Sequence, residues 1–291
     1  MKNISIIGAG LIGGSLGLAL KSRAGRKYRV TAVGRNIVKL KLAKKMRAAD
    51  SFTTDMAEGV RNADIIVICT PVDLIAPTVK KILPFVKPGT VITDVGSVKG
   101  SVLKDVKNVF LSAKRYALYA NFVGAHPMAG SEKYGIAAAK PGLYASATVA
   151  LAPERSTPKK ALAEVANMWK AAGAKIVYMS PAEHDRTVAL VSHLPHVMAF
   201  NLNIALEKLE RDIPGAARLA AGSFRDMTRI AASNTRDWAV ICGANRIEIA
   251  KAIDCFVKEL TAVKRILADT GKAEKRFEKA KAARQKLLHS V

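Results

Sequence analysis

The run IIGAGLIGGSLGLAL (residues 6–20) constrains this chain more than any other stretch. It joins a β-branched apolar segment to a helical pattern through Gly8-x-Gly10-x-x-Gly13. In that setting each glycine has a task. The first makes a tight turn, the second lets backbone approach a pyrophosphate, and the third permits close helix–strand packing. The helix N-terminus then offers N–H groups and a partial positive charge to an anion. The expectation is a dinucleotide site that includes Gly8, Gly10, Leu11, Ile12 and Gly13; the alternative is glycines that only pack a helix on a strand. The uncharged stretch from Ile4 to Leu20 also resembles a signal-peptide core. Its glycines at 8, 10, 13, 14 and 17 and its lack of a basic leader argue for folded structure and a cytoplasmic protein.

The first 180 residues continue the alternation. NISIIGAG (3–10), YRVTAVG (28–34), ADIIVICTP (63–71), GTVITDVGS (89–97) and NFVGAHP (121–127) read as strands, with amphipathic stretches such as 36–47 and 72–83 between them. Such alternation predicts a parallel sheet covered on both faces. SATVALAP (146–153) and AKIVYM (174–179) are further strand candidates, flanking a helix that opens at Thr157-Pro158. The character changes at Ser180, where Ser180, Pro181 and Glu183 form a capping box with a first-turn proline. Helical periodicity then runs through 182–210, 214–232, 235–268 and 271–289. The expected fold is α/β: an N-terminal Rossmann-type doubly wound parallel sheet over 1–180, then a C-terminal all-α domain over 181–291. There is no internal repeat and no low-complexity linker.

Composition narrows the partners. Aromatics make up 5% of the 291 residues, too few for a nucleic-acid binder built on base stacking. The net charge of +24 attracts polyanions and speeds the arrival of anionic ligands. Its densest run, KAEKRFEKAKAARQK (272–286), reads as a solvated helix face. Neither a nucleic-acid reading element nor a membrane segment accompanies it, so no nucleic-acid or membrane partner is expected. Cys69, Cys242 and Cys255 show no CxxC spacing and fit a reducing compartment.

The end of the second strand bears on the cofactor. An NAD site usually places an acid there for the ribose 2′-hydroxyl. This chain reads VTAVGRN, with Gly34 at that position and Arg35 after it. Loss of the carboxylate removes repulsion from a 2′-phosphate, and a guanidinium is a bidentate partner for one. NADP is the first choice and NAD the second; Arg35 as a solvated turn residue is the alternative.

Open α/β sheets bind ligands beyond the carboxyl ends of their strands. Three such ends carry polar groups: Thr70-Pro71, DVGSVKG (94–100) and GAHPMAGSEKYG (124–135). Ser97 and His126 are therefore expected at the nicotinamide end. A histidine there is suited to taking a hydroxyl proton as hydride departs.

GAGLIGGSL, DVGSVK, GAHPMAGSEKYG, SHLPH and GSFRDMTRIA, in that order, resemble the prephenate/arogenate dehydrogenase family of tyrosine biosynthesis. The likeness runs from about residue 3 to about residue 268. It implies oxidative decarboxylation of a cyclohexadienol. Hydride leaves the carbon bearing the hydroxyl, the hydroxyl loses its proton, and the ring carboxylate departs as carbon dioxide. The resemblance makes His126 the base and Ser97 the serine that bonds both this histidine and the reacting hydroxyl. Arg229 matches the position that holds the ring carboxylate, and Glu132, with Ser131 beside it, the glutamate that orients the arginine. Arg225 and a Trp238 from a neighbouring subunit would approach the side-chain carboxylate. Nearby guanidinium groups are expected to keep His126 neutral.

VSHLPHVMAF (191–200) places His193 and His196 on one helical face around Pro195. No carboxylate or cysteine stands at ligand spacing, and nicotinamide chemistry needs no metal, so none is expected. A satisfied core imidazole is the plain alternative. The favoured reading has His196, with His193, reaching the substrate, and Pro195 bending the helix. Met198, Phe200 and Leu202 read as core, while His184 and His289 take no role.

The resemblance further implies an interlocked homodimer, and the short stretch after the helical part is expected to leave no room for the regulatory or mutase domain that some relatives carry. Prephenate or arogenate is the substrate, the basic Arg225 leaning toward prephenate. Two other readings are an arogenate-preferring enzyme and a non-catalytic nucleotide-binding protein of the same fold. The latter is expected to have lost His126 or Arg229, and both are present.

Overall fold

The computed structural model describes residues 1–114 and 121–288, so His289 lies outside the described residues. One sheet holds β1 (Lys2–Ile7), β2 (Tyr28–Val33), β3 (Ser51–Thr53), β4 (Ile65–Ile68), β5 (Val91–Asp94), β6 (Phe122–Pro127), β7 (Thr148–Ala152) and β8 (Lys175–Tyr178). Its order is β3-β2-β1-β4-β5-β6-β7-β8. Between strands run α1 (Leu11–Ala24), α2 (Ile37–Lys45), α3 (Met56–Arg61), α4 (Val72–Ile82), α5 (Gly100–Ser112) and α6 (Lys159–Ala171).

Alternate residues of each central strand point to opposite faces, and both faces are apolar. Ile4, Ile6, Val30, Ile65 and Val67 join Leu16, Leu20 and Trp169 in one core. Ile7, Val33, Ile66 and Ile68 join Ile75, Val79, Val102 and Phe110 in the other. The strands are continuous apolar runs because helices cover both sides. The strand order reverses between β1 and β4, and that switch point opens the crevice where such sheets bind ligands.

Three details differ from the sequence expectation. The sheet is not wholly parallel: β7 pairs antiparallel with β6, and β8 parallel with β7. Between β6 and β7 the described residues carry only a 3₁₀ turn (Ile136–Ala138), and without a crossover helix neighbouring strands return antiparallel. The three-residue β3 is too short to register as a periodic run. Helix α6 starts at Lys159, one residue after the proline expected to open it; Thr157 instead accepts a hydrogen bond from the Glu154 amide at 3.0 Å.

After Tyr178 the described residues form no further strand. The helices are α7 (Pro181–Val188), α8 (Leu194–Asp212), α9 (Gly222–Thr228), α10 (Thr235–Ala244), α11 (Arg246–Lys264) and α12 (Thr270–Leu288). The Ser180 capping box is present, with the Ser180 amide 2.8 Å from the Glu183 carboxylate. A π-turn over Ala189–His193 separates α7 from α8, and the Leu194 amide reaches back to the Ala189 carbonyl. This irregularity lies just before Pro195, which has no amide to continue the ladder. The run expected over 235–268 breaks at Asn245, whose φ of −113° and ψ of 25° leave the helical region. Met198, Phe200 and Leu202 are half-buried rather than core. Pro181–Asp212 is, among the described residues, the stretch long and apolar enough by length and composition to cross a membrane. Met1–Arg246 packs as one compact unit, and a second begins at Ile247.

Candidate active site

The loop from β1 to α1 is shaped by contacts that only glycine allows. Gly8 has φ +99°, and a Cβ there would lie 2.5 Å from the Cys69 carbonyl oxygen on the adjacent β4 end. A Cβ on Gly13 would lie 2.4 Å from the Gly8 carbonyl oxygen, so helix and strand touch backbone to backbone. Gly10 is different: a Cβ there meets nothing within 4 Å. Its lack of a side chain serves no contact of the protein and leaves open space where backbone amides begin α1. No side chain caps that helix and no acid occupies its first turn. Tyr144 fixes the loop from below, its hydroxyl donating to the Ile12 carbonyl at 2.6 Å. This cradle fits a dinucleotide pyrophosphate.

Beyond β2, Gly34 is also not demanded by packing, since a Cβ would make ordinary contact with Leu40 at 3.5 Å. Arg35 is exposed and makes no ion pair among the described residues. Asn36 turns inward to cap α2, accepting from the Lys39 amide at 3.0 Å.

His126 is the penultimate residue of the buried strand β6. Its Nδ1 lies 2.9 Å from His184 Nε2, and His184 Nδ1 lies 2.7 Å from Asp185 Oδ1. Asp185 also accepts from the amides of Lys99 at 2.7 Å and Gly100 at 2.8 Å. Burial pushes the Asp185 carboxyl up, but these donors and His184 outweigh it and hold it below the usual carboxylate range. The backbone around His126 is clamped by a buried ion pair. Lys99 Nζ donates to Asp94 and, at 2.8 Å, to the Ala125 carbonyl, while Asp94 accepts from the Ala125 amide at 3.1 Å. His126 is therefore held on both sides. Burial drives its pKa well below the ordinary histidine value, and His184, Lys99 and His193 add to the effect. It is neutral at pH 7.

His193 is fully buried on the π-turn. Its Nδ1 accepts from Asn245 Nδ2 at 3.1 Å, and the same amide donates to the Asp185 carbonyl at 2.8 Å. Its Nε2 has no hydrogen-bond partner. Burial and then His184 push its pKa down to about 4, although Asp185 and the nearby Ser97 backbone pull the other way. His196 is half-buried and bonds the Ser192 carbonyl through Nδ1 at 3.0 Å. Trp238 stacks on its ring, centroid to centroid 3.6 Å, and meets His193 edge-on at 6.0 Å. Burial and the Arg229 guanidinium hold His196 below its ordinary pKa. Arg229 Nη1 in turn donates to Glu132 Oε2 at 3.0 Å.

Most residues singled out in the sequence thus converge: Ser97, His126, Glu132, His193, His196, Arg229 and Trp238 form one neighbourhood. Arg225 and Ser131 are exposed beside it; Arg225 Nε donates to the Ala220 carbonyl at 3.1 Å. Two expectations need correction. The Ser97 hydroxyl makes no hydrogen bond to His126 among the described residues, and His126 Nδ1 is engaged by His184. The cation that disfavours charge on His126 is the Lys99 ammonium rather than a guanidinium. Within this chain Trp238 stacks on His196. Sequence reasoning also missed His184, Asp185, Asp94, Lys99 and Asn245. For His184 and Asp185 the available signal was position, directly behind a capping box that places them in a helix's first turns.

Fold and site together define a class, a dinucleotide-linked dehydrogenase with a buried neutral histidine at the crevice. Comparison with known proteins specifies it further. The family description "Prephenate dehydrogenase, nucleotide-binding domain" matches residues 16–178, and "Prephenate dehydrogenase, dimerization domain" matches 180–280. Prephenate dehydrogenase of Bacillus subtilis is 35% identical over 97% of this chain and 74% of its own length. Cyclohexadienyl dehydrogenase of Zymomonas mobilis is 34% identical over 92% of this chain and 89% of its own. The solved prephenate dehydrogenase of Aquifex aeolicus, in complex with hydroxyphenyl propionate and NAD+, superposes with a TM-score of 0.89 at 31% identity, covering 99% and 98% of the two chains. The chain belongs to the prephenate dehydrogenase family and is an NAD(P)-dependent oxidoreductase.

Proposed function

We propose that the enzyme oxidatively decarboxylates prephenate, arogenate or both, with His126 as the base that takes the ring hydroxyl's proton. One observation carries the assignment of the base. His126 is buried and neutral, its Nδ1 is engaged by His184, and its Nε2 has no partner among the described residues. A positioned base of this kind is worth roughly 10²–10⁴ in rate. The dinucleotide, when bound at the Gly8–Gly13 loop with Thr70 and Pro71 at its edge, supplies the hydride acceptor. The Ser97 hydroxyl, half-buried and without a protein partner, is free to bond the substrate hydroxyl.

Arg229 holds the ring carboxylate, oriented by Glu132; a fork of two N–H donors matches two carboxylate oxygens. His196, with Trp238 stacked over it, lines the substrate pocket; the fully buried His193 supports that wall from behind rather than reaching the substrate as expected from the sequence, and Arg225 and Ser131 flank the pocket. Two negative charges on prephenate match this cationic rim, which favours prephenate over arogenate. Gly34 and Arg35 favour NADP over NAD, because no acid repels a 2′-phosphate and a free guanidinium stands beside it.

We place the division between nucleotide-binding and helical substrate-binding parts near residue 180, and read the protein as a cytoplasmic homodimer that binds neither nucleic acid nor membrane. Exposed apolar side chains on the later helices, among them Ile204, Leu209, Val257, Leu260 and Phe277, offer surface for a second copy. Initial rates with prephenate and arogenate, each with NAD and NADP, test substrate and cofactor together. Activity with NAD alone would refute the reading of Gly34 and Arg35. An assembled His126→Asn enzyme at the parental rate would refute the base.

A further inference from the structure

We infer that His184 and Asp185 are positioning residues for the reaction: through His184, Asp185 fixes which nitrogen of His126 carries the proton. The inference rests on His126 being the base. Its premise is the hydrogen-bond chain His126–His184–Asp185, which joins β6 to α7 across 58 residues of sequence.

The logic runs from the fixed end. Asp185 receives two backbone amides, from Lys99 and Gly100, so its carboxylate is pinned and offers only acceptors. His184 Nδ1, 2.7 Å away, must therefore carry the hydrogen. In a neutral ring the other nitrogen is then a lone pair. His126 Nδ1 lies 2.9 Å from that lone pair, so His126 donates through Nδ1. Its Nε2 is left unprotonated, which is the state a base requires. Without the chain nothing among the described residues selects this tautomer, and the other would present a useless N–H to the hydroxyl.

The same chain steadies the charge that catalysis creates. As the substrate O–H bond breaks, the oxygen keeps the electron pair and an N–H bond forms at His126 Nε2. The ring becomes a cation. A neutral His184 accepts from it with the Asp185 carboxylate behind, while Lys99 from the β5–α5 loop, His193 from the π-turn and any charge on His184 itself oppose it. The arrangement repeats the logic of a catalytic triad, in which a carboxylate sets the tautomer of the imidazole in front of it and stabilises its cation.

Two experiments test this. In ¹⁵N-histidine-labelled parent enzyme at neutral pH, two-bond ¹H–¹⁵N spectra should show His126 with its proton on Nδ1; a proton on Nε2 overturns the inference whatever the variants do. Kinetics then compare His184→Leu, His184→Gln, Asp185→Asn and His126→Asn, with nucleotide affinity and melting recorded for each. His184→Leu should lose roughly 10²-fold in kcat while nucleotide affinity stays at the parental value. His184→Gln should recover at least about tenfold of that loss, since its amide can accept from His126 and donate to Asp185. Asp185→Asn should move the acid limb of kcat/KM to lower pH, because removing the carboxylate makes His126 harder to protonate. His184→Leu at the parental rate beside an inactive His126→Asn overturns the positioning role alone. Equal losses in His184→Leu and His184→Gln, with an unmoved acid limb in Asp185→Asn, also overturn it. A fully active His126→Asn removes the base itself.

Discussion

Gly8 and Gly10 stand two residues apart in one loop, yet alanine should affect them in opposite ways. Gly10 has φ −92° and ψ −152°, which alanine adopts without strain, and its Cβ would meet nothing within 4 Å. Gly10→Ala should therefore fold at least as stably as the parent, with a gain of about 0.4–1 kcal/mol from a less flexible unfolded chain. The new methyl stands about 1.5 Å out from the backbone, in the space phosphate oxygens need to reach the amides of α1. Displacing one charge-assisted hydrogen bond costs about 1.5–3 kcal/mol. The dinucleotide Kd should then rise roughly 10- to 150-fold. Gly8→Ala instead forces a Cβ to 2.5 Å from the Cys69 carbonyl oxygen at φ +99°. Backbone on both sides cannot yield cheaply, so a loss of about 2 kcal/mol or more is expected, with a melting point several degrees lower. Calorimetric titration with NADP and NAD, beside thermal melts, reads both quantities. Parental dinucleotide affinity in Gly10→Ala would remove the loop from the phosphate site, and a parental melt in Gly8→Ala would refute the packing argument.

Other consequences can be checked separately. Arg35→Ser should raise the KM for NADP about tenfold or more and leave that for NAD unchanged; an equal change in both would show Arg35 to be a solvated turn residue. His193 has a folded pKa of about 4 against about 6.5 unfolded, so the unfolded chain binds the extra proton between those values. Its contribution to stability is complete above about pH 6.5 and falls as pH drops toward 4, by about 3 kcal/mol. Urea unfolding across that range should show the parent losing more stability than His193→Asn, and parallel curves would refute the shift. Lys99→Met strands the buried Asp94 carboxylate and should destabilise by about 3–5 kcal/mol, part of which Asp94→Asn restores in the double variant. An unchanged denaturation midpoint would mean that water replaces the ammonium.

What was legible in the sequence was local or periodic. The glycine spacing, the apolar strands and the Ser180 capping box each act within a few residues, where spacing alone dictates geometry. Motifs that resemble the family's also marked His126, Glu132 and Arg229. The return of β7 was not legible, since it depends on what lies between β6 and β7 rather than on any strand's pattern. Nor was the site's wiring. The bonds from Lys99 to Asp185, from His126 to His184 and from Asn245 to His193 span 86, 58 and 52 residues. No local pattern encodes a hydrogen bond closed by the packing of one helix against a distant strand end. Sequence determined that a neutral histidine could face a dinucleotide crevice in this fold. Only the tertiary structure decided which of its nitrogens is engaged by the protein, because that depends on a carboxylate two side chains away.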